Sequence, residues 1–103
     1  MYLTMNRFKV LKIAAVEFEA LWKQRDSHLK EISGFVSFHL LRGPEHENYI
    51  LYASHTAWKN EKSFRDWTIS DAFRAAHKGA GGSRGLYLET PELEIFETVT
   101  ELK

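Results

Sequence analysis

Phe35-Val36-Ser37-Phe38-His39-Leu40-Leu41-Arg42 is followed by Gly43-Pro44 and a polar stretch to Asn48, and then by Tyr49-Ile50-Leu51-Tyr52-Ala53-Ser54-His55-Thr56-Ala57-Trp58. Two segments rich in β-branched and aromatic residues, joined by a Gly-Pro turn, read as an antiparallel hairpin with strands at 35–42 and 49–58. Upstream, residues 2–11 alternate in the manner of a first strand. Ala14 to Ile32 then reads as a helix with Phe18, Leu21, Trp22, Leu29 and Ile32 on one stripe, stopped by Ser33-Gly34. Downstream, Asn60 can cap a second helix from Glu61 that carries Phe64 and Trp67 on one side. Ser70-Asp71 reads as a fresh cap that breaks this helix and opens a short further one through His77. Lys78 to Gly85 holds four glycines in eight residues and reads as a loop, followed by a short extended piece at 86–88 and a last strand at 92–102.

Strand, helix, strand, strand, helix, strand is the ferredoxin-like βαββαβ order, an α+β fold in which an antiparallel sheet carries two helices on one face. The chain, 1–103, is expected to form one domain. A sheet covered on one face only should alternate apolar and polar residues. These strands place apolar residues on both sides: Phe35 and Leu41 against Val36, Phe38 and Leu40, and Ile50, Tyr52 and Trp58 against Leu51, Ala53 and Ala57. A domain of this size hides only about two-thirds of its unfolded surface alone. The face that helices leave bare is therefore expected to pack on a second copy, giving a homodimer.

Hydrophobic residues at 44% and aromatics at 14% predict a packed globule. Fourteen Lys and Arg balance fourteen Asp and Glu, which removes the basic footprint of a nucleic-acid binder. The absence of Cys excludes disulfides, thiolate ligation, iron–sulfur clusters and Cys-based zinc sites. Neither a signal peptide nor a membrane span is visible, so the cytoplasm is the default location. No P-loop or nucleophile elbow is present, and Gly79-Ala80-Gly81-Gly82 follows a helix instead of opening one. No bound flavin or nicotinamide is expected.

Three separated residues, Asn6, Trp67 and His77, are candidates for chemistry. Asn6 interrupts the first strand between Thr4 and Phe8, where a buried carboxamide needs partners or costs roughly 1–3 kcal/mol. It is either a satisfied structural amide, an edge group facing water, or a ligand-facing donor. His77 ends an Ala-rich turn, Phe73-Arg74-Ala75-Ala76-His77; on residues alone a single helical His is more often a capping or surface group than a metal ligand. Trp67 reads by itself as core, with Phe64 and Phe73. Arg25 falls on the first helix's apolar stripe between Trp22 and Leu29, where a guanidinium suggests an anion, a snorkelling side chain or a Glu partner. Trp22 is equally a pocket lining or a core residue. His28, His39, His46 and His55 lack metal-ligand spacing and read as surface or sheet positions.

Asn6 on the first strand together with Trp67-Thr68-Ile69-Ser70-Asp71-Ala72-Phe73-Arg74-Ala75-Ala76-His77 resembles the IsdG-like haem-degrading monooxygenases, a branch of the antibiotic-biosynthesis-monooxygenase superfamily. The resemblance implies a two-fold dimeric α+β barrel that binds haem as substrate. It assigns His77 as the axial ligand of the haem iron, Trp67 as the indole that presses the porphyrin out of plane, and Asn6 as the distal group that donates to the oxygen. Arg25 would then meet a propionate, with Arg84 and Lys78 as further candidates, and Trp22 would line the pocket. It also implies dioxygen and an external reductase or small reductant as co-reactants, and iron plus a linear tetrapyrrole as products. Two other readings stay open: a cofactor-independent quinol monooxygenase of the same superfamily, and a haem carrier without turnover.

Overall fold

The computed structural model of the chain describes residues 1–24, 29–70, 86–89 and 91–103. Four strands, β1 (Tyr2–Val10), β2 (Phe35–Glu45), β3 (Ile50–Trp58) and β4 (Leu93–Glu97), form one antiparallel sheet in the order β2-β3-β1-β4. Helix α1 (Ala15–Gln24) joins β1 to β2, and α2 (Glu61–Thr68) follows β3. This is the ferredoxin-like arrangement that the element order predicts. Register runs from Tyr2 opposite Trp58 to Val10 opposite Ile50, so the even positions of β1 and β3 share the helix-covered face.

That face holds two core clusters. Phe8, Val10, Ala14, Phe18, Tyr52 and Leu86 pack under α1, with Leu21 and Trp22 against them. Tyr2, Leu29, Trp58 and Trp67 pack under α2, with Ile32, Phe35, Phe38 and Phe64. Complete burial of side chains such as Phe18 and Trp58 stabilises the fold by roughly 1.5–3 kcal/mol each. Asn60 caps α2 as expected, its Oδ1 accepting from the Ser63 N–H at 2.9 Å. The helix stops before Ser70, whose N–H and hydroxyl both donate to the Trp67 carbonyl, at 3.1 and 2.7 Å. The break therefore falls where the sequence places it. The short helix toward His77 and most of the glycine loop lie outside the described residues.

Three boundaries and the facing of one residue differ from the sequence reading. The first helix does not run from Ala14 to Ile32: α1 ends its described span at Gln24, and Leu29–Glu31 forms a separate 3-10 turn. Phe18 and Trp22 serve the first cluster while Leu29 and Ile32 serve the second, so spacing that fits one stripe belongs to two packing sites. The hairpin turn does not start at Gly43-Pro44. β2 continues through both to Glu45, and the chain reverses at 46–49, where the His46 N–H donates to the Tyr49 carbonyl at 2.7 Å. Pro is tolerated there because β2 is an edge strand with a register shift between Arg42 and Glu45.

A second shift, between Phe35 and Ser37, turns Phe35 onto the helix side with Phe38 and leaves Val36 half exposed; strict alternation places Phe35 with Leu41 instead. The last strand is also shorter than 92–102. Its ladder ends with Glu97 opposite Tyr2 and the Thr98 N–H donating to the Met1 carbonyl at 2.8 Å, and Val99 and Leu102 are exposed. The expected extended piece after the glycine loop is present: Leu11 N–H donates to Leu86 O and Leu88 N–H to Lys9 O, both at 2.9 Å.

Gly34 links the sheet to α2. Its φ of +87° is left-handed, and its carbonyl accepts from the Lys59 N–H at 2.7 Å. A Cβ at this position would lie 1.9 Å from Ser63 Oγ. The stop of the first helical region thus seats the opening turn of the second.

Candidate functional site

Asn6 sits on the helix-covered face of β1, half-buried, and belongs to neither core cluster. Its row across the sheet runs Leu40, Ser54, Asn6, Leu93. The neighbouring row carries Phe38, Thr56, Thr4 and Ile95. Thr4, Thr56, Ser54 and Asn6 therefore form a polar strip at the centre of an otherwise aromatic face. Thr4 is engaged: its Oγ1 accepts from the Trp58 indole N–H at 3.1 Å. The carboxamide of Asn6 and the hydroxyl of Ser54 make no hydrogen bond with a described residue. Of the three readings open for Asn6, the satisfied structural amide is the one that this geometry does not support.

Aromatic walls rise on both sides of the strip. Trp22, on α1, lies 5.8 Å from the Phe8 ring on β1 and 5.6 Å from the Phe38 ring on β2, stacked on the latter at 15°. Those two rings occupy rows on either side of the Asn6 row, so the indole spans it. On the other side, Trp67 projects from α2 into the second cluster, 7% exposed, with its ring centre 6.3 Å from that of Trp58. Phe64, one turn earlier, contacts both Tyr2 and Trp58. The fold thus brings Asn6, Trp22 and Trp67 to one face of the sheet. His77 and Arg25 lie outside the described residues, as do Lys78, Arg84 and His28.

A cavity of about 340 Å³ opens beside the Trp22 wall, lined by Glu19, Trp22, Lys23, Phe38, Leu40, Arg42 and Tyr52. Glu19 is its polar anchor, accepting a short hydrogen bond from the Tyr52 hydroxyl and a second from Arg42 Nη1 at 3.3 Å. Burial, and then the adjoining Glu19 carboxylate, hold the Tyr52 phenol above its ordinary value, with Arg42 opposing. The phenol is therefore a neutral donor at physiological pH. Sequence reasoning missed this cluster because its members lie in three elements. It also missed Ser54, although a small hydroxyl between Tyr52 and Thr56 on an aromatic strand face was a visible signal.

Among the described residues no group of three or more His, Cys, Asp or Glu converges as a metal site. His39 and His55 face one another across β2 and β3 on the sheet's opposite face, and His46 stacks on Tyr49 in the hairpin turn. No helix among the described residues is long and apolar enough to cross a membrane. The described side chains suit a flat apolar ligand with one polar edge: aromatic walls, small residues beneath, and an amide without a partner among the described residues.

Comparison with known proteins agrees with this fold. The heme oxygenase (staphylobilin-producing) of Staphylococcus haemolyticus is 32% identical over 79 residues, covering 76% of this chain and 74% of that one. A structure of a MhuD variant with two manganese protoporphyrin IX molecules bound per active site is 25% identical; MhuD is the Mycobacterium tuberculosis heme degrader. It superposes with a TM-score of 0.77 over 100% of this chain and 99% of that one. SnoaB, a cofactor-independent oxygenase from Streptomyces nogalater, is 27% identical with a TM-score of 0.72, covering 98% of this chain and 95% of that one. The model of the antibiotic biosynthesis monooxygenase family matches residues 1–79, and it is to this family that the chain belongs.

Proposed function

We propose that this protein is a haem-degrading monooxygenase: it binds haem as substrate, opens the porphyrin ring with dioxygen and externally supplied electrons, and releases iron with a linear tetrapyrrole. The observation that carries the reading is the Asn6 carboxamide, unpartnered among the described residues, on the same sheet face as the Trp22 and Trp67 indoles. The names of the staphylococcal relatives and the porphyrin-bound neighbour support it.

Each residue has a role in this reading. His77 supplies the axial nitrogen to the iron, a neutral imidazole being a common donor for that metal. Asn6 donates from the distal side toward the oxygen, where a fixed dipole in a site with little water stabilises developing charge. Trp67 presses on the macrocycle and Trp22 borders it, while Arg25 meets a propionate carboxylate. The chain supplies binding and orientation, and the porphyrin iron supplies the oxygen chemistry. A reductase or small reductant delivers the electrons. The bare face of the sheet, with Leu41 and Phe96 half exposed, is the surface through which two copies would pair in the cytoplasm.

The likeness to SnoaB favours a second reading, cofactor-independent oxygenation of a polycyclic quinol in the same cleft. A haem carrier is the third. Haem and ascorbate under air, with catalase present, separate them in one visible-spectrum experiment. Soret loss with a bilin-like band and iron release supports degradation, a stable haem spectrum supports the carrier, and no haem binding leaves the quinol enzyme. His77→Ala is expected to abolish the Soret band of the complex or sharply weaken haem affinity.

A further inference from the structure

Ser54 has no part in the roles assigned above, yet it is one of the odder groups in the molecule. The residue is 5% exposed, and its hydroxyl has no partner among the described residues. Buried polar groups are otherwise satisfied: no fully enclosed side-chain nitrogen or oxygen among the described residues lacks a hydrogen bond. The Ser54 oxygen must therefore open onto the space above the sheet. It is also in direct register with Asn6, so the two Cβ atoms stand about 4.5–5.5 Å apart on one face. On the other side of Asn6 is Leu93, which has no polar atom to offer. Thr4 is occupied by the Trp58 indole, and Thr56 is a row away.

We propose that Ser54 is a second ligand-contacting donor, which with Asn6 forms a two-point polar notch for the small oxygen-bearing ligand on the distal side of the bound porphyrin. The proposal rests on the haem reading. A hydroxyl gives one O–H and a carboxamide two N–H groups, so the pair can donate to one anionic atom from two directions. Neither donor is held by a described residue, so both keep their capacity for what enters the space above the sheet. The small Ser54 side chain also leaves the room that a larger residue in this row would fill.

The test is fluoride binding to the ferric haem-loaded protein, with cyanide as control. Fluoride depends strongly on donors that surround it, and cyanide depends less on them. Ser54→Ala is expected to weaken fluoride about tenfold, the size of losing one hydrogen bond to a charged acceptor. Ser54→Thr keeps the hydroxyl and should stay near wild type, and cyanide should move far less than fluoride in both variants. Thermal midpoints at matched concentration show whether the variants fold. Fluoride affinity of folded Ser54→Ala within twofold of wild type overturns the proposal while leaving the haem reading intact. Equal losses of fluoride and cyanide overturn it as well, because they mark a general distortion. Absence of a Soret band in the wild type overturns both.

Discussion

Replacing Asn6 by Val separates a structural amide from a functional one, because the two roles predict opposite signs for stability. An amide transferred to a partly compensating environment costs roughly 0.5–2 kcal/mol. Asn6 is only half-buried, so about half of that applies, and its carboxamide has no hydrogen bond to lose among the described residues. Val is the better strand residue on a scale that spans about 1 kcal/mol. Together these predict that Asn6→Val stabilises the fold by about 1 kcal/mol, or roughly 4–8 °C in Tm for a domain of this size. Turnover should move the other way, by about 100- to 1,000-fold, as when one donor to a developing charge is removed. Urea unfolding at fixed protein concentration gives the first quantity, since dimerisation would make stability depend on concentration. Single-turnover loss of the Soret band gives the second. Destabilisation by more than about 1 kcal/mol would refute the reasoning, because it would mean that the fold itself uses the amide.

Two further perturbations test the frame around the site. Gly34→Ala forces a side chain into left-handed backbone, at about 1–2 kcal/mol, and against Ser63 Oγ, at about 1–3 kcal/mol more. Urea unfolding should therefore show a loss of about 2–5 kcal/mol, and adding Ser63→Gly should recover part of it. Tyr52 has its folded-state pKa raised above 10.0 by burial and by Glu19, so its contribution to stability is complete below the unfolded value and fades as pH rises through the folded one. Urea midpoints followed into the alkaline range should fall for the wild type on this account, and Tyr52→Phe should lack that component.

Much of the architecture was legible because hydrophobic periodicity and caps are local signals. The hairpin, the Asn60 cap, the stop after Trp67 and the placement of Phe64 with Trp67 all follow from residues close in the chain. The candidacy of Asn6 and Trp67 came from the resemblance to a family motif, since by themselves the two read as an amide with several uses and as a core indole. Tertiary structure decided what depends on partners. Whether Leu29 and Ile32 continue the stripe of Phe18 and Trp22 was settled by two separate clusters, and the side on which Phe35 falls was settled by a bulge that periodicity cannot encode. Pairing across strands set Ser54 beside Asn6, forty-eight positions away, and joined Glu19 to Tyr52 and Arg42. A sequence specifies which groups a chain owns; their unmet hydrogen bonds become visible only when folding has used up all the others.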